Sequence, residues 1–156
     1  MKELAIHGGR PASEKRIPIA KPVFSEKTIK DVEDVIRSGY VRQGKKTSEF
    51  EERFREKVGA KYAYVVNSGT AALHVAYLSI LKPGDEVILP AFIFLATAST
   101  VIYSNAKPVF ADIDPETFLI NPEDVKEKIT GKTRAIAPVH LFGNAAKMDE
   151  LNELAE

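Results

Sequence analysis

The feature that most constrains the fold is an alternation of short apolar runs with helical stretches from residue 62 onward. The runs predict strands over 63–66, 86–90, 108–113 and 134–140, and the intervening patterns predict helices over 70–81, over 95–106, from Asn121 and from Met148. Strands that alternate with helices indicate a mostly parallel sheet covered on both faces. The sequence therefore predicts an α/β fold.

The N-terminal part of the chain has a different pattern. Residues 1–24 are rich in proline and predict an extended arm, and Ser25 is a candidate cap for a helix that ends at Gly39. Ser48 and Glu51 have the spacing of a capping box for a second helix. Four apolar side chains fall on one face of the first helix: Ile29, Val32, Val35 and Ile36. Phe50, Phe54 and Val58 are expected to face inward from the second helix.

These patterns suggest a division of the chain. We expect 1–60 to form an arm and helices, and 61–156 to form the first part of one α/β domain. Four predicted strands are few for a sheet covered on both faces, and the helix from Met148 has no strand to return to. We therefore expect the chain to be an incomplete piece of a longer protein.

Composition narrows the classes of function. The 22 basic and 22 acidic residues cancel, so no overall positive field favours nucleic acid as a partner. The chain has no cysteine, no apolar leader and no apolar run long enough for a membrane span. Asp112 and Asp114 are expected to form a turn with Pro115 rather than a metal site. We expect a cytoplasmic protein with neither a membrane nor a nucleic acid as partner.

The turn at 67–70 is the first candidate site. Asn67, Ser68, Gly69 and Thr70 stand between a predicted strand and a predicted helix. A helix N-terminus at the carboxyl edge of a parallel sheet favours an anion, and Gly69 would allow a phosphate to approach the backbone. Ordinary helix capping by Ser68 or Asn67 explains the same residues equally well.

Two further positions follow predicted strands. Phe92 and Phe94 come just after the strand over 86–90, where an aromatic ring either stacks on a flat cofactor or packs in the core. His140 ends the strand over 134–140, and its role could be either structural or catalytic. All three are expected at the same edge of the sheet as the 67–70 turn.

Several segments together resemble a known family. NSGTAAL at 67–73, GDEVILP at 84–90, FLATAS at 94–99, KPVFADID at 107–114 and PVHLFG at 138–143 occur in the order and spacing of the DegT/DnrJ/EryC1/StrS aminotransferases. SGYVRQG at 38–44 and FEERF at 50–54 extend the resemblance towards the N-terminus. It implies the N-terminal part of the large domain of aspartate-aminotransferase-like, fold type I enzymes, which depend on pyridoxal 5'-phosphate.

The resemblance also implies roles for particular residues. Ser68, Gly69 and Thr70 would hold the cofactor phosphate, Phe94 would lie against the pyridine ring, and His140 matches a position near the site. The Schiff-base lysine and the aspartate that pairs with the pyridine nitrogen are expected downstream of these residues. No catalytic residue is therefore expected within the chain, which we expect to be inactive alone.

The function implied by the resemblance is transfer of an amino group from glutamate to a nucleotide-linked keto-sugar, in polysaccharide biosynthesis, by a homodimer. Two alternatives stay open on the sequence. One is a sugar dehydratase of the same fold, in which histidine replaces the lysine. The other is a truncated relative that binds cofactor or partner without turnover.

Overall fold

The computed structural model describes residues 3–156, in which helices and parallel strands alternate after an N-terminal helical part. In chain order the elements are α1 (Glu26–Arg37), α2 (Lys45–Val58), α3 (Gly69–Ile80), β1 (Glu86–Pro90), α4 (Ala96–Tyr103), β2 (Lys107–Ala111), α5 (Pro122–Lys128), β3 (Thr133–Ile136) and α6 (Met148–Ala155), with short 3-10 turns at Ala5–His7 and Leu141–Gly143. Contacts divide the chain into two units, Met1–Arg53 and Phe54–Glu156.

The three strands form one parallel sheet with β1 in the centre. The strand order is β2-β1-β3, and both pairings are parallel. All five residues of β1 are buried, as expected for a strand that is paired on both edges and covered on both faces. The carboxyl ends of the strands therefore meet at one edge of the sheet.

Alternate residues of β1 serve two separate cores. Val87 and Leu89 pack with Tyr77 of α3 and with Val101 of α4 on one face. Ile88 packs on the other face, in a cluster that brings in α5 and α6 and whose other buried members are Ala111, Ile120, Val125, Ala146 and Leu151. Because successive side chains of a strand point to opposite faces, one apolar strand holds both layers of helices. The predicted α/β arrangement is confirmed.

The predicted strand over 63–66 is wrong. Residues 62–66 precede α3 without joining any of the three strands, and Tyr64 is 83% exposed. The apolar, β-branched character of AYVV favours an extended backbone, and it does not determine whether the segment pairs with the strands of a sheet. The sheet in the described part of the chain consequently has three strands, not the four predicted.

The helices of the N-terminal part agree with the sequence in one case and differ in the other. The Ser25 hydroxyl accepts a hydrogen bond from the Thr28 N–H at 3.1 Å, and Gly39 has the left-handed φ of 69° expected after a helix end. The capping box at Ser48 and Glu51 is wrong. Helix α2 already begins at Lys45, and the Ser48 N–H donates to the Gly44 carbonyl as an interior helical residue does.

The apolar face of α2 is not buried as predicted, and the apolar face of α1 is exposed as well. Ile29, Val32 and Ile36 of α1 are largely exposed, and Val35 is half-buried. Phe50, Phe54 and Val58 of α2 also retain about half of their exposure. Helical periodicity determines which side chains share a face, and it carries no information about what covers that face.

Local signals in the α/β part are mostly confirmed. The Asn121 side chain caps α5 by accepting from the Glu123 N–H at 3.1 Å, with Pro122 at the first helical position. Asp114 forms the expected turn, since its carboxylate accepts from the N–H groups of Thr117 and Glu116, which hold the pKa of Asp114 below its usual range. The last strand is shorter than predicted, because pairing with β1 ends at Ile136.

A buried carboxylate ties the strands together at the amino edge of the sheet. Glu86, at the start of β1, is 7% exposed. Its carboxylate accepts from the Thr130 hydroxyl at 2.7 Å and from the Lys107 ammonium at 3.1 Å, and these bonds hold the pKa of Glu86 below its ordinary value. Lys107 is the first residue of β2.

The Glu86 contacts predict an acid-sensitive contribution to stability. Because the pKa of Glu86 is lower in the folded chain than in the unfolded chain, its carboxylate stabilises the fold above the unfolded pKa, and that contribution is lost as pH falls through the folded pKa. We expect Glu86→Gln to lower the free energy of unfolding near neutral pH and to differ little from wild type in acid. Denaturant titrations at a series of pH values measure both.

Glu127→Gln is the matched control, because Glu127 is an exposed residue of α5 with no ion pair among residues 3–156. It should leave the pH profile of stability unchanged. If Glu86→Gln also left the pH dependence of stability unchanged, the Glu86 carboxylate would not stabilise the fold as predicted.

Candidate functional site

A cavity at the carboxyl edge of the sheet brings together two segments that are distant in sequence. One is the start of α3, and the other is the segment that follows β1 and leads into α4. The cavity measures about 520 Å³, and its lining residues are Gly69, Thr70, Ala72, Leu73, Phe94, Ala96 and Thr97. This edge is where open α/β sheets bind their ligands.

The start of α3 is capped and still offers free donors. The Ser68 hydroxyl accepts from the Ala71 N–H at 3.1 Å, and the Ser68 carbonyl accepts from the Ala72 N–H at 3.0 Å. The N–H groups of Gly69 and Thr70 have no acceptor among residues 3–156. Capping and anion binding, the two interpretations of the 67–70 turn, are therefore compatible, because the cap leaves the first two N–H groups of the helix unused.

Gly69 is open towards its surroundings. A Cβ atom added to Gly69 would meet no other atom within 4 Å, and the φ of Gly69 is not in the left-handed region. The backbone alone consequently does not require glycine at this position. What glycine provides is unobstructed access to the first N–H groups of a helix, where an anion benefits from the helix dipole.

The two phenylalanines after β1 have different surroundings. Phe94 lines the cavity and is 78% exposed, so the core-packing interpretation fails for it. Phe92 is about half exposed and its ring lies against Phe118, with centroids 5.9 Å apart and planes tilted by 46°. Of the two, only Phe94 faces the same cavity as Gly69 and Thr70.

His140 lies in a separate local arrangement. It is exposed, it is not among the described residues that line the cavity, and its Nδ1 accepts a hydrogen bond from the Ala146 N–H at 3.0 Å. An accepting Nδ1 leaves the proton of the neutral ring on Nε2. The bond closes the loop after β3 and brings Ala146 into the core beneath the sheet. This geometry favours the structural interpretation of His140.

Four lining residues have no role assigned by the sequence: Ala72, Leu73, Ala96 and Thr97. Thr97 is buried in the first turn of α4, and its N–H donates to the Phe94 carbonyl at 3.1 Å. The FLATAS segment at 94–99 contains a signal for Ala96 and Thr97, since small and hydroxyl residues directly after an exposed aromatic leave room where two helices begin side by side.

The cavity fits a phosphate group on electrostatic grounds. Its lining within residues 3–156 contains no carboxylate, and it receives two free N–H groups from a helix of twelve residues. No lysine is found among the described lining residues either. The residues present can therefore bind an anion and cover a flat ring, but they do not provide an amine for covalent chemistry.

Known proteins resemble this chain over most of its length. The model of the DegT/DnrJ/EryC1/StrS aminotransferase family matches residues 22–156. The spore coat polysaccharide biosynthesis protein SpsC of Bacillus subtilis is 40% identical over 141 residues, which cover 90% of this chain and 36% of SpsC. The chain spans little more than a third of the length of the curated relatives that it matches.

Solved structures show the same fold. An aminotransferase from Psychrobacter cryohalolentis has a TM-score of 0.81 and 38% identity, with 88% of this chain and 36% of that chain covered. The E. coli GDP-4-keto-6-deoxy-D-mannose-3-dehydratase with bound hydrated PLP has a TM-score of 0.83 and 31% identity, with 89% and 38% covered. These similarities confirm the predicted α/β fold class, that of the fold type I sugar aminotransferases.

No helix in the described residues is long and apolar enough to cross a bilayer.

The cap at Ser68 predicts a local effect on stability. Ser68→Ala removes the side-chain acceptor of the Ala71 N–H, and we expect it to lower the free energy of unfolding by about 1 kcal/mol. Ser79→Ala in the same helix is the control, because the Ser79 hydroxyl donates to the Ala76 carbonyl and caps no helix end. Urea denaturation of both variants measures the difference, and equal stabilities would contradict capping by Ser68.

Proposed function

Because the chain belongs to the DegT/DnrJ/EryC1/StrS aminotransferase family, we propose that it is the N-terminal part of a pyridoxal-phosphate-dependent enzyme that moves an amino group from glutamate to a nucleotide-linked keto-sugar. The observation that carries the proposal is the cavity shared by Gly69, Thr70 and Phe94. The relation to a protein of polysaccharide biosynthesis supports a sugar as the acceptor.

In this proposal each segment of the cavity has a binding role. Gly69 and Thr70 donate their free N–H groups to the cofactor phosphate, and the Thr70 hydroxyl is available as a further donor. Ser68 holds the turn in place through its bond to the Ala71 N–H. Phe94, exposed at the cavity wall, covers one face of the pyridine ring and excludes water from it.

The reacting groups are assigned to the rest of the protein. Pyridoxal phosphate, when bound, supplies a conjugated ring that takes up electrons from the carbon bearing the amino group. That chemistry needs a lysine, and no lysine lines the described cavity. Lys107, which contacts Glu86, lies at the opposite edge of the sheet. We therefore propose that the 156 residues alone bind the cofactor weakly and have no transferase activity.

The proposal extends to assembly and location. The segment 39–46, which leads from α1 into α2, resembles a family segment near the boundary between subunits, and this supports a homodimer. The balanced charge of the chain supports small molecules rather than nucleic acid as its partners. A cytoplasmic location remains our expectation for this nucleotide-sugar enzyme.

A sugar dehydratase is the second candidate, supported by the similarity to the E. coli dehydratase. Incubation of the complete protein with ¹⁵N-glutamate and nucleotide-linked keto-sugars distinguishes the two. An aminotransferase yields a sugar that carries ¹⁵N, together with 2-oxoglutarate. A dehydratase yields a deoxygenated sugar without nitrogen, and this product would overturn the leading proposal.

Gly69 provides the sharpest test of phosphate binding. We expect Gly69→Val in the complete protein to abolish retention of pyridoxal phosphate, because a branched side chain would occupy the approach to the Gly69 and Thr70 N–H groups. Gly131→Val is the matched control, since Gly131 also has open space where a Cβ atom would lie and a φ outside the left-handed region, and it lies in the turn before β3. Absorbance and fluorescence titrations measure retention.

Correctly folded Gly69→Val protein that retains cofactor as Gly131→Val does would contradict the phosphate role of the α3 N-terminus. Circular dichroism and thermal unfolding establish that both variants are folded. Family membership would survive that result, whereas the assignment of this cavity would not.

Phe94 provides a separate test of the ring contact. We expect Phe94→Ala to weaken pyridoxal phosphate binding by about fivefold, since aromatic stacking contributes roughly 1 kcal/mol. Phe92→Ala is the control, because Phe92 lies against Phe118 outside the described cavity lining. Equilibrium titration gives both affinities. If only Phe92→Ala lowered the affinity for pyridoxal phosphate, Phe92 and not Phe94 would be the ring that contacts the cofactor.

A further inference from the structure

Two polar atoms of α3 are buried without a hydrogen-bond partner in the described part of the chain. They are the hydroxyl oxygen of Tyr77 and Nε2 of His74. Tyr77 as a residue is 5% exposed, and the proposed cofactor role uses neither side chain. Buried polar atoms in folded proteins are almost always hydrogen-bonded, so this pair needs a physical explanation.

The two side chains lie on the same side of the helix. They are three residues apart in α3, a spacing at which side chains are neighbours on a helix surface. Tyr77 packs in the core formed with Val87, Leu89 and Val101. The His74 ring meets the Tyr103 ring of α4 edge to face, with centroids 6.1 Å apart. Both polar atoms are thus on the side of α3 that packs against the rest of the α/β part.

The chemistry of the Tyr77 hydroxyl and His74 Nε2 limits which group can form hydrogen bonds with both of them. Burial raises the pKa of the Tyr77 hydroxyl, which therefore stays protonated and can donate as well as accept. A metal ion is a poor candidate, because the described residues contain no group of three or more potential ligands. A water molecule both donates and accepts, so it can pair with the hydroxyl and with either tautomer of the histidine.

We propose that one internal water molecule binds between the Tyr77 hydroxyl and Nε2 of His74 and satisfies both buried atoms. This site does not depend on cofactor binding. It lies further along the helix whose first residues line the candidate cavity, and its contribution to stability is independent of any ligand.

The sign of a mutational effect tests the proposal. If the hydroxyl of Tyr77 is bonded to water, Tyr77→Phe should lower the folding equilibrium constant by roughly fivefold. His74→Phe, which keeps a ring beside Tyr103, should have a similar effect. The double variant should lose little more than either single variant, because the first change already removes the shared water. Urea denaturation of the purified protein measures all three.

Tyr64→Phe is the matched control, since the Tyr64 ring is 83% exposed, and it should leave stability unchanged. Tyr77→Phe that is as stable as wild type, or more stable, would overturn the proposal, because removing an unpaired buried hydroxyl is neutral or favourable. Additive losses in the double variant would also overturn it. A high-resolution crystal structure should show a water bonded to both atoms, and a direct bond between the two side chains would overturn the proposal.

Discussion

The burial of β1 on both of its faces is the constraint on which the rest of the α/β part depends. All five residues of β1 are buried, and its alternating side chains hold α3 and α4 on one face and α5 and α6 on the other. Burial of aliphatic side chains on this scale is the dominant favourable term in folding. Since both neighbours of β1 are parallel to it, the strand also sets which ends of the other elements meet.

The two edges of the sheet consequently have different chemistry. At the amino edge, Glu86 is held by Thr130 and Lys107, and its charge is satisfied within the protein. At the carboxyl edge, Gly69 and Thr70 present N–H groups to a cavity whose described lining has no charged side chain. The carboxylate of Glu86 is therefore neutralised far from the cavity. An anionic ligand in the cavity would meet N–H donors and no competing carboxylate.

Sequence patterns predicted the parts of this arrangement that depend on local interactions. The bounds of β1 follow from the Gly84 turn before it and its continuous apolar run, and the start of α5 follows from Asn121 and Pro122. Pairing of residues 63–66 and coverage of the α1 face depend on distant partners, which periodicity does not specify. In the site, Gly69 and Thr70 were predictable as a helix start and Phe94 as a residue after a strand end, and their contacts with a cofactor stay a prediction. Thr97 and the buried hydroxyl of Tyr77 were not, because their surroundings arise only when α3 packs on α4.

The most direct test of the account follows the backbone amides of α3 while ligand is added. In ¹⁵N-resolved NMR spectra of isotope-labelled protein titrated with pyridoxal phosphate, the account predicts that the Gly69 and Thr70 amide signals shift first and furthest. Inorganic phosphate should shift the same two signals, because the proposal assigns these N–H groups to the phosphate and not to the ring. Shifts confined to other segments, such as the loop that His140 closes, with Gly69 and Thr70 unchanged, would contradict the central claim that this helix start holds the cofactor phosphate.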